Sequence, residues 1–505
     1  MKKYILVVAL IVSVFILFKV LQPNSGELLS ISGPFEFKGQ DLSTDGFLFS
    51  RLQVTEALVE VTPDGELRPL LATDWSEDGA VWRFTIRAGV SFHNGEELGA
   101  ETVARALQQA AARPGVIQKV PIQEIRAEGN QVVIELSRDY RPLASVLAHY
   151  STAISSLETL SGGPLKGTGP YQVEKLSPPH KLEVLRYPGY WGKKARIERV
   201  QYLAGHRSES RALLVKTGEA DLAYTLDPTG IESLQEDKKL TIKAEALPRT
   251  VLLKLNNAHP FLEDKETRQA ISLALDRGGI AREVLRLPGA EAYQLFSPAL
   301  GSWHLSNPPR ARRDLERARE LLTARGWAVN SAGLLERDGQ VFELNLTTYA
   351  DRPELPLIAT ALQAQLREVG IDINITIDNS GAIPLKHNDG SLELALIARN
   401  FGTIANPLAL LLSDFGSYAG SEWGPMNWSS PRMSSLLSEL SRGIGSGAPG
   451  KEQQAAQEVA EILAEEMPLI PLTFYTQLIA VNNRVQNFRF DPFEINYYVA
   501  DMHFR

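Results

Sequence analysis

Segments with the patterns of β-strands and of α-helices alternate along most of the chain, and this alternation constrains the fold more than any other feature. The strand-like segments are rich in β-branched and apolar residues with a period of two. They are LEVLRY, VQYLAG, VLLKLN, FELNLTTY, IDINITI and LELALIA. The alternation predicts an α/β protein.

The helical segments lie between these strands. In DLERARELLTARGW the apolar residues from Leu315 to Leu322 fall on one face, and Gly326 lies near the expected end of the helix. Residues 267–275 and 451–466 are predicted to form two further helices.

Length and composition narrow the class of protein. A chain of 505 residues can form two or three domains. Its net charge of -8 and its isoelectric point near 5.7 argue against a nucleic-acid partner. Because the chain has no cysteine, disulfides, thiolate metal sites, cysteine nucleophiles and lipid attachment through cysteine are excluded.

The N-terminus has the pattern of an export signal. MKK precedes the apolar run YILVVALIVSVFILF. As a helix, Ile5 to Phe18 would span about 21 Å, short of the roughly 30 Å hydrocarbon core of a bilayer. No Ala-x-Ala cleavage pattern follows, so residues 1–26 are expected to be a signal peptide or an uncleaved anchor. Either one leaves the remaining chain outside the cytoplasmic membrane.

Motifs for catalysis are absent from the sequence. There is no nucleophile elbow, zinc-binding helix or phosphate-binding loop, and the eight histidines occur singly. The glycine-rich RGIGSGAPG, residues 442–450, does not follow a strand and is expected to be a surface connector. The absence of catalytic and metal-binding motifs favours a binding protein over an enzyme, and no resident metal or cofactor is expected.

The stretch VWRFTIRAGVSFHNGEEL predicts a strand followed by a turn. Trp82, Phe84 and Ile86 alternate with polar residues, and Asn94-Gly95 is a strong turn dipeptide. His93 is either a metal ligand or a structural residue of the turn, and we expect the structural role.

This stretch belongs to a longer series that resembles the extracytoplasmic solute-binding proteins of family 5, which bind peptides, nickel chelates or opines for ABC importers. The matching segments follow the family's order from about residue 50 to 480. They are EALVEVTPDGELRPLLATDW, KGTGPYQVEKL, YPGYWGKKARIERVQY, KTGEADLAY, LLKLNN, RQAISLALDRGGI, DLERARELLTARGW and MPLIPLTFY.

The resemblance implies a two-lobed periplasmic-binding-protein fold of type II with an extra N-terminal subdomain and a hinged cleft between the lobes. Lobe I would comprise residues 27–255, including a subdomain at about 62–190, and a return segment, 476–505. Lobe II would comprise residues 256–475. The chain would cross between the lobes near TVLLKLNN and LTFYTQ.

The resemblance also indicates which segments line the cleft, but it leaves the ligand open. In the family an acidic residue after the LELAL strand commonly holds a peptide's ammonium group. No acidic residue lies between Arg399 and Pro407 here, which argues against peptides with a free N-terminus. Nickel chelates, opines and other modified amino acids stay possible. The candidate ligand-binding residues are Phe47, Phe49, Arg51, His149, Tyr150, Arg399, Asn400, Phe401, Asn406, Tyr418, Trp423, Asn427 and Trp428.

The sequence therefore predicts a monomeric, non-enzymatic receptor that delivers a small polar ligand to permease subunits. A membrane-anchored sensor or chaperone and, less favoured, an exported hydrolase are the alternatives.

Overall fold

The structure is a computed structural model that describes residues 28–308, 312–350, 352, 354–443 and 450–505. The strands that it describes are β1 (Leu28–Gly33), β2 (Val59–Val61), β3 (Leu67–Pro69), β4 (Ala72–Asp78), β5 (Val81–Ile86), β6 (Ile122–Glu128), β7 (Gln131–Leu136), β8 (Tyr171–Ser177), β9 (Lys181–Arg186), β10 (Arg199–Ala204), β11 (Leu222–Leu226), β12 (Leu240–Leu255), β13 (Ala328–Val329), β14 (Leu335–Arg337), β15 (Gln340–Val341), β16 (Glu343–Tyr349), β17 (Asp372–Asp378), β18 (Leu394–Asn400), β19 (Leu469–Asn482), β20 (Val485–Gln486) and β21 (His503–Phe504).

The α-helices of the same residues are α1 (Gly46–Arg51), α2 (Ala100–Ala111), α3 (Leu143–Val146), α4 (Leu157–Leu160), α5 (Ser208–Thr217), α6 (Pro228–Glu232), α7 (Lys265–Ala274), α8 (Arg277–Gly279), α9 (Leu315–Ala324), α10 (Glu354–Arg367), α11 (Ala382–Asn388), α12 (Leu408–Phe415), α13 (Pro431–Arg442) and α14 (Lys451–Glu466). The six strands and three helices predicted from the sequence are confirmed as β9, β10, β12, β16, β17 and β18, and as α7, α9 and α14.

One mixed sheet of ten strands runs through the molecule in the order β17-β16-β18-β12-β19-β11-β1-β10-β9-β8. β1 pairs in parallel with β10 and β11, and β16 pairs in parallel with β17 and β18. The antiparallel pair β12 and β19 joins these two halves at the centre.

The apolar cores divide the molecule into two lobes. Lobe I is the part around a core that includes Leu29, Tyr202 and Met502, and lobe II is the part around a core that runs from Val251 to Leu472. Chain segments far apart in sequence build lobe I, because β19 returns from lobe II to pair with β11. The predicted two-lobed α/β fold is therefore confirmed, while its exact boundaries stay a prediction.

The antiparallel sheet β4-β5-β7-β6 forms a separate layer with its own core next to lobe I. Trp82, Phe84 and Ile86 point into this core, as the alternation in β5 predicts. His93 is buried in the turn: its Nδ1 accepts the backbone N–H of Gly167 (3.2 Å) and its Nε2 donates to the carbonyl of Gly169 (3.0 Å). Burial lowers the pKa of His93 to about 4, so the ring is a neutral part of the scaffold.

The carboxylate of Glu56 draws three of the quoted segments together. It accepts hydrogen bonds from the Thr168 hydroxyl (2.8 Å), the Tyr190 hydroxyl (2.8 Å) and the Trp191 indole N–H (3.0 Å). Residues that lie 112 and 134 positions further along the chain are thereby fixed to one buried group.

Two predictions fall partly or wholly outside the described residues. These are the leader or anchor at 1–26 and most of the connector at 442–450, of which residues 444–449 are not described. Within the described part of the chain, no helix is long and apolar enough to span a bilayer.

Candidate functional site

The two central strands carry an irregularity where they pass from one lobe to the other. β12 pairs with β19 from Leu240↔Asn482 to Ala246↔Thr476, and the pairing resumes at Thr250↔Phe474. Three residues of β12, from 247 to 249, therefore lie opposite Tyr475 alone. From Arg249 onward β12 also pairs with β18 of lobe II. The bulge therefore places Arg249 and Tyr475 at the boundary between the lobes.

Three arginines converge on this bulge, and we call Arg51, Arg249 and Arg352 the arginine cluster. Arg249 donates from Nη2 to Oε2 of Glu494 (2.7 Å), and Nη2 of Arg51 lies 3.6 Å from Oε1 of the same carboxylate. Arg352 donates to the hydroxyl of Tyr475 (3.2 Å). The guanidinium groups of Arg249 and Arg352 lie 4.9 and 5.2 Å from the centroid of the Tyr475 ring.

Three carboxyl groups, those of Glu494, Glu354 and Asp491, lie near the cluster. Burial opposes ionisation of Glu494, but the nearby cations Arg249, Arg51 and Arg352 outweigh it and hold the pKa of Glu494 below its usual value. A second carboxylate, Glu354, has its pKa raised by burial although Arg352 lies close to it. Burial also raises the pKa of Asp491, beside Arg51, to about 6. Three guanidinium groups thus face one firmly ionised carboxylate and two that are less readily ionised.

Several buried polar atoms near the bulge have no hydrogen-bond partner among the described residues. They are Nε of Arg249, Oε1 of Gln477, Oε1 of Glu354 and Oγ1 of Thr473. A buried polar group without a partner costs about 1–3 kcal/mol, so such groups mark places where a ligand or water completes the bonding. Four of them around one bulge identify a polar binding site.

A small cavity of about 10 Å³ adjoins the cluster on the side of lobe I. Arg51 and Glu494 line it together with Tyr224, Gln477 and Tyr497. The guanidinium of Arg51 lies over the rings of Phe35 (5.0 Å), Phe47 (5.4 Å) and Tyr497 (5.6 Å), which gives the cavity an aromatic wall.

A second small cavity, of about 20 Å³, lies within lobe II beside Arg277. The guanidinium of Arg277 donates to the carbonyl of Pro471 (2.7 Å) and to the carbonyl (2.9 Å) and hydroxyl (2.8 Å) of Ser272. These bonds tie α8 to α7 and β19, so we assign Arg277 to the scaffold.

The structure separates the candidates predicted in lobe I. Arg51, Phe47 and Tyr150 lie at the site, since Phe47 packs edge-on against Tyr150 with ring centroids 6.1 Å apart. Phe49 is fully buried in the core of lobe I and does not line the site, so its ligand contact stays a prediction. His149 is buried under Tyr150, and burial lowers its pKa to about 3, which leaves a neutral ring whose Nδ1 bonds to the hydroxyl of Ser151 (2.9 Å).

The structure places Arg399, predicted to anchor an anionic ligand, in an ion pair of lobe II, and its ligand contact stays a prediction. Its guanidinium makes a two-pronged ion pair with Asp414, with Nε–Oδ2 and Nη2–Oδ1 distances of 2.9 and 2.8 Å. Phe401 is fully buried and packs edge-on against Phe296, so it is a core residue of lobe II. Asn400 and Asn406 accept the backbone N–H two residues ahead, at Gly402 and Leu408, and so shape local turns.

The predicted loop residues have mixed positions. Trp423 packs edge-on against Tyr349 (6.2 Å), which lies near Arg352 and Arg249, so Trp423 borders the site from lobe II. Tyr418 is 56% exposed, whereas Trp428 is buried against Phe415. Asn427 donates to the Oδ1 of Asn256 (2.8 Å) and holds the loop to the strand end.

The sequence prediction missed Arg249, Arg352, Glu354, Tyr475 and Glu494. Arg249 and Tyr475 fall beside or within the two segments predicted as lobe crossings, so polar residues inside those apolar runs were an available signal. Glu494 carries no local signal, since its partner Arg51 lies 443 residues away.

Residues 66–421 match the sequence model of a protein family, which is described as bacterial extracellular solute-binding proteins, family 5 Middle. This match covers well over half of the chain. The chain belongs to the bacterial extracellular solute-binding protein family 5. The match confirms the resemblance predicted from the sequence. Members of this family are extracytoplasmic binding proteins.

Individual proteins and solved structures align with nearly the whole chain. The nickel-binding periplasmic protein of Escherichia coli K12 is 24% identical over 479 residues, 89% of each chain. The probable di/tripeptide-binding protein 5 of Pseudomonas aeruginosa is 24% identical and covers 94% of this chain and 95% of its own. The structure of NikA from Brucella suis in complex with Fe(III)-EDTA aligns with a TM-score of 0.84 at 22% identity, over 95% of this chain and 100% of the other.

Proposed function

We propose that this protein is the extracytoplasmic solute-binding component of an ABC importer, which captures a small polar ligand between its lobes and delivers it to a permease. The observation that carries the proposal is the convergence of Arg51, Arg249 and Arg352 on the strands that join the lobes. A ligand held there would contact lobe I, the crossing strands and lobe II together. Its binding would therefore favour the closed arrangement of the lobes.

We propose a ligand that carries at least one carboxylate, such as a metal chelate, an opine or a peptide-like compound. Guanidinium groups are the side chains best suited to carboxylates, and the aromatic wall suits an apolar part of the same molecule. Glu354, with a buried oxygen that has no partner among the described residues, offers a place for an ammonium group. It supplies the acidic group that the segment after β18 lacks, so amino-acid-derived ligands fit best.

We also propose the domain boundaries and the export route. The predicted division is between lobe I (27–255 with 476–505), including the subdomain at about 62–190, and lobe II (256–475). The bulge at 247–249 and the burial of Val251 and Leu255 in the core of lobe II support a first crossing a few residues earlier, near residue 249. Residues 1–26 would direct export or anchor the chain outside the membrane, and the receptor would act as a monomer. The relatives are binding proteins, so the import function takes precedence over the sensor, chaperone and hydrolase alternatives.

The test begins with native mass spectrometry of protein purified from its own cell envelope, which weighs any ligand that remains bound. Calorimetry then measures binding of that compound and of Ni(L-His)2, Fe(III)-EDTA, agropinic acid and the peptide STSA, which structural relatives bind. At least one carboxylate-bearing compound is expected to bind with a dissociation constant near or below ~1 μM.

Arg352→Gln should weaken that binding about 10- to 100-fold, because one charge-assisted hydrogen bond contributes about 1.5–3 kcal/mol. Arg317→Gln, on the exposed side of α9, is the matched control and should bind as the wild type does. An unchanged dissociation constant in Arg352→Gln would remove the arginine cluster from the site.

A further inference from the structure

The C-terminal segment presents Glu494 to the cleft on a rigid turn. The carboxylate of Asp491 accepts backbone N–H groups of Phe493 (2.9 Å), Ile495 (2.9 Å) and Asn496 (2.8 Å), and the Asp491 side chain is only 4% exposed. Glu494 has a left-handed backbone with φ of 57°. A turn wound around a buried carboxylate holds its own shape, so the position of Glu494 does not depend on its side chain.

Glu494 makes two kinds of contact with the arginine cluster. Its backbone carbonyl accepts the Nε–H of Arg51 (2.7 Å), whereas its two carboxylate oxygens approach Arg51 (3.6 Å) and Arg249 (2.7 Å). The arginine side chains are 8% exposed and that of Glu494 is 11% exposed. The carbonyl contact survives any substitution at 494, but the carboxylate contact does not.

The surroundings show that this carboxylate does not saturate the guanidinium groups. Nε of Arg249 is buried without a hydrogen-bond partner, and Arg352 forms no ion pair with the part of the chain that the structure describes. A small cavity of about 10 Å³ lies against both Arg51 and Glu494. A ligand carboxylate that takes the place of Glu494 would therefore meet the same two guanidinium groups and the free Nε–H of Arg249.

We propose that Arg51 and Arg249 form a carboxylate-binding subsite, that Glu494 occupies it as an internal surrogate, and that a carboxylate of the incoming ligand displaces Glu494. This inference rests on the proposed solute-binding function and adds a residue that determines specificity. A neutral ligand cannot displace Glu494, because Arg51 and Arg249 would then lose the carboxylate that they share. The receptor thus rejects compounds that lack a carboxylate.

The test uses Glu494→Gly, because glycine adopts a positive φ without strain and keeps the backbone carbonyl that binds Arg51. The probe is formate, which has the size and charge of the missing carboxylate. In about 100 mM formate the unfolding midpoint of the variant should rise by about 2 °C, while the wild type should not respond. Sodium chloride of equal ionic strength and neutral formamide should not reproduce this rise.

Two further variants make the result specific. Asp338→Gly removes an exposed acidic residue that also has a positive φ, 54°, and should not respond to formate. The double variant Glu494→Gly with Arg249→Met should lose the response, since formate then lacks one guanidinium. If Glu494→Gly does not fold, Glu494→Gln takes its place, and its midpoint should rise more with formate than with chloride.

An equal response to formate in wild type and variant, or a response that persists in the double variant, would overturn the subsite. That outcome would leave the import function standing. Conversely, rescue by formate in a protein that binds no member of the ligand panel would support the subsite and count against the proposed ligands.

Discussion

The buried carboxylate of Glu56 should make the stability of the protein depend on pH in a way that one substitution removes. Burial raises the pKa of Glu56 from 4.5 to about 7, even though Trp191, Thr168 and Tyr190 donate hydrogen bonds to the ionised form. Glu56→Gln keeps the shape and can keep every bond, because the Tyr190 hydroxyl can accept from the amide where it donated to the carboxylate. The variant removes only the charge.

The direction of the effect follows from the protons bound by each state. Between pH 4.5 and 7 the unfolded chain loses the proton of residue 56 while the folded protein keeps it, so the free energy of unfolding falls as pH rises. The full difference in pKa corresponds to about 3.4 kcal/mol. Between pH 5 and pH 8 the wild type should therefore lose about 2.5 kcal/mol relative to Glu56→Gln.

Urea unfolding of both proteins at pH 5 and pH 8 measures this difference of differences, in which any constant effect of the amide cancels. Glu101→Gln is the control, since Glu101 is an exposed residue of α2 with a side chain that is 67% accessible. Its effect on stability should stay within about 0.5 kcal/mol and should not change with pH. The reasoning would be refuted if the stability of the wild type relative to Glu56→Gln were independent of pH, or rose from pH 5 to pH 8.

Three further expectations follow from the structure. Arg399→Met should destabilise the protein by about 3–5 kcal/mol in urea unfolding, because it leaves Asp414 buried without the cation it pairs with. Adding Asp414→Asn should recover much of this loss, and ligand affinity should stay unchanged in both variants. Lys254 donates to the carbonyls of Ser421 (2.9 Å) and Glu422 (2.8 Å), and burial lowers its pKa to about 7. The stability of the wild type relative to Lys254→Met should therefore rise between pH 7 and pH 9. A difference in stability that stays flat or falls over this range would contradict the prediction. Small-angle scattering should give a smaller radius of gyration with a saturating ligand than without it, and identical curves would argue against hinge closure.

Sequence alone determined the elements whose signal is local. The alternation in β5, the amphipathic faces of α7 and α9 and the turn at Asn94-Gly95 each depend on neighbours within a few residues, and all appear as predicted. The segments that resemble the family follow its order along the chain, and this order predicted the two-lobed fold. It could be recognised in the sequence because each segment carries its own turn or strand pattern.

Only the tertiary structure decided which side chains form the site. Phe47 and Phe49 are two residues apart on α1 and look equivalent in sequence, yet packing buries Phe49 completely and leaves Phe47 against Arg51. Arg399 and Arg249 are both polar residues that border an apolar run of their strand, but Asp414 neutralises the first, whereas the second meets Glu494 from 245 residues away. Periodicity reports whether a side chain is buried, because burial repeats with the geometry of one element. The partner of a buried charge depends on how distant strands cross, and no local pattern carries that information.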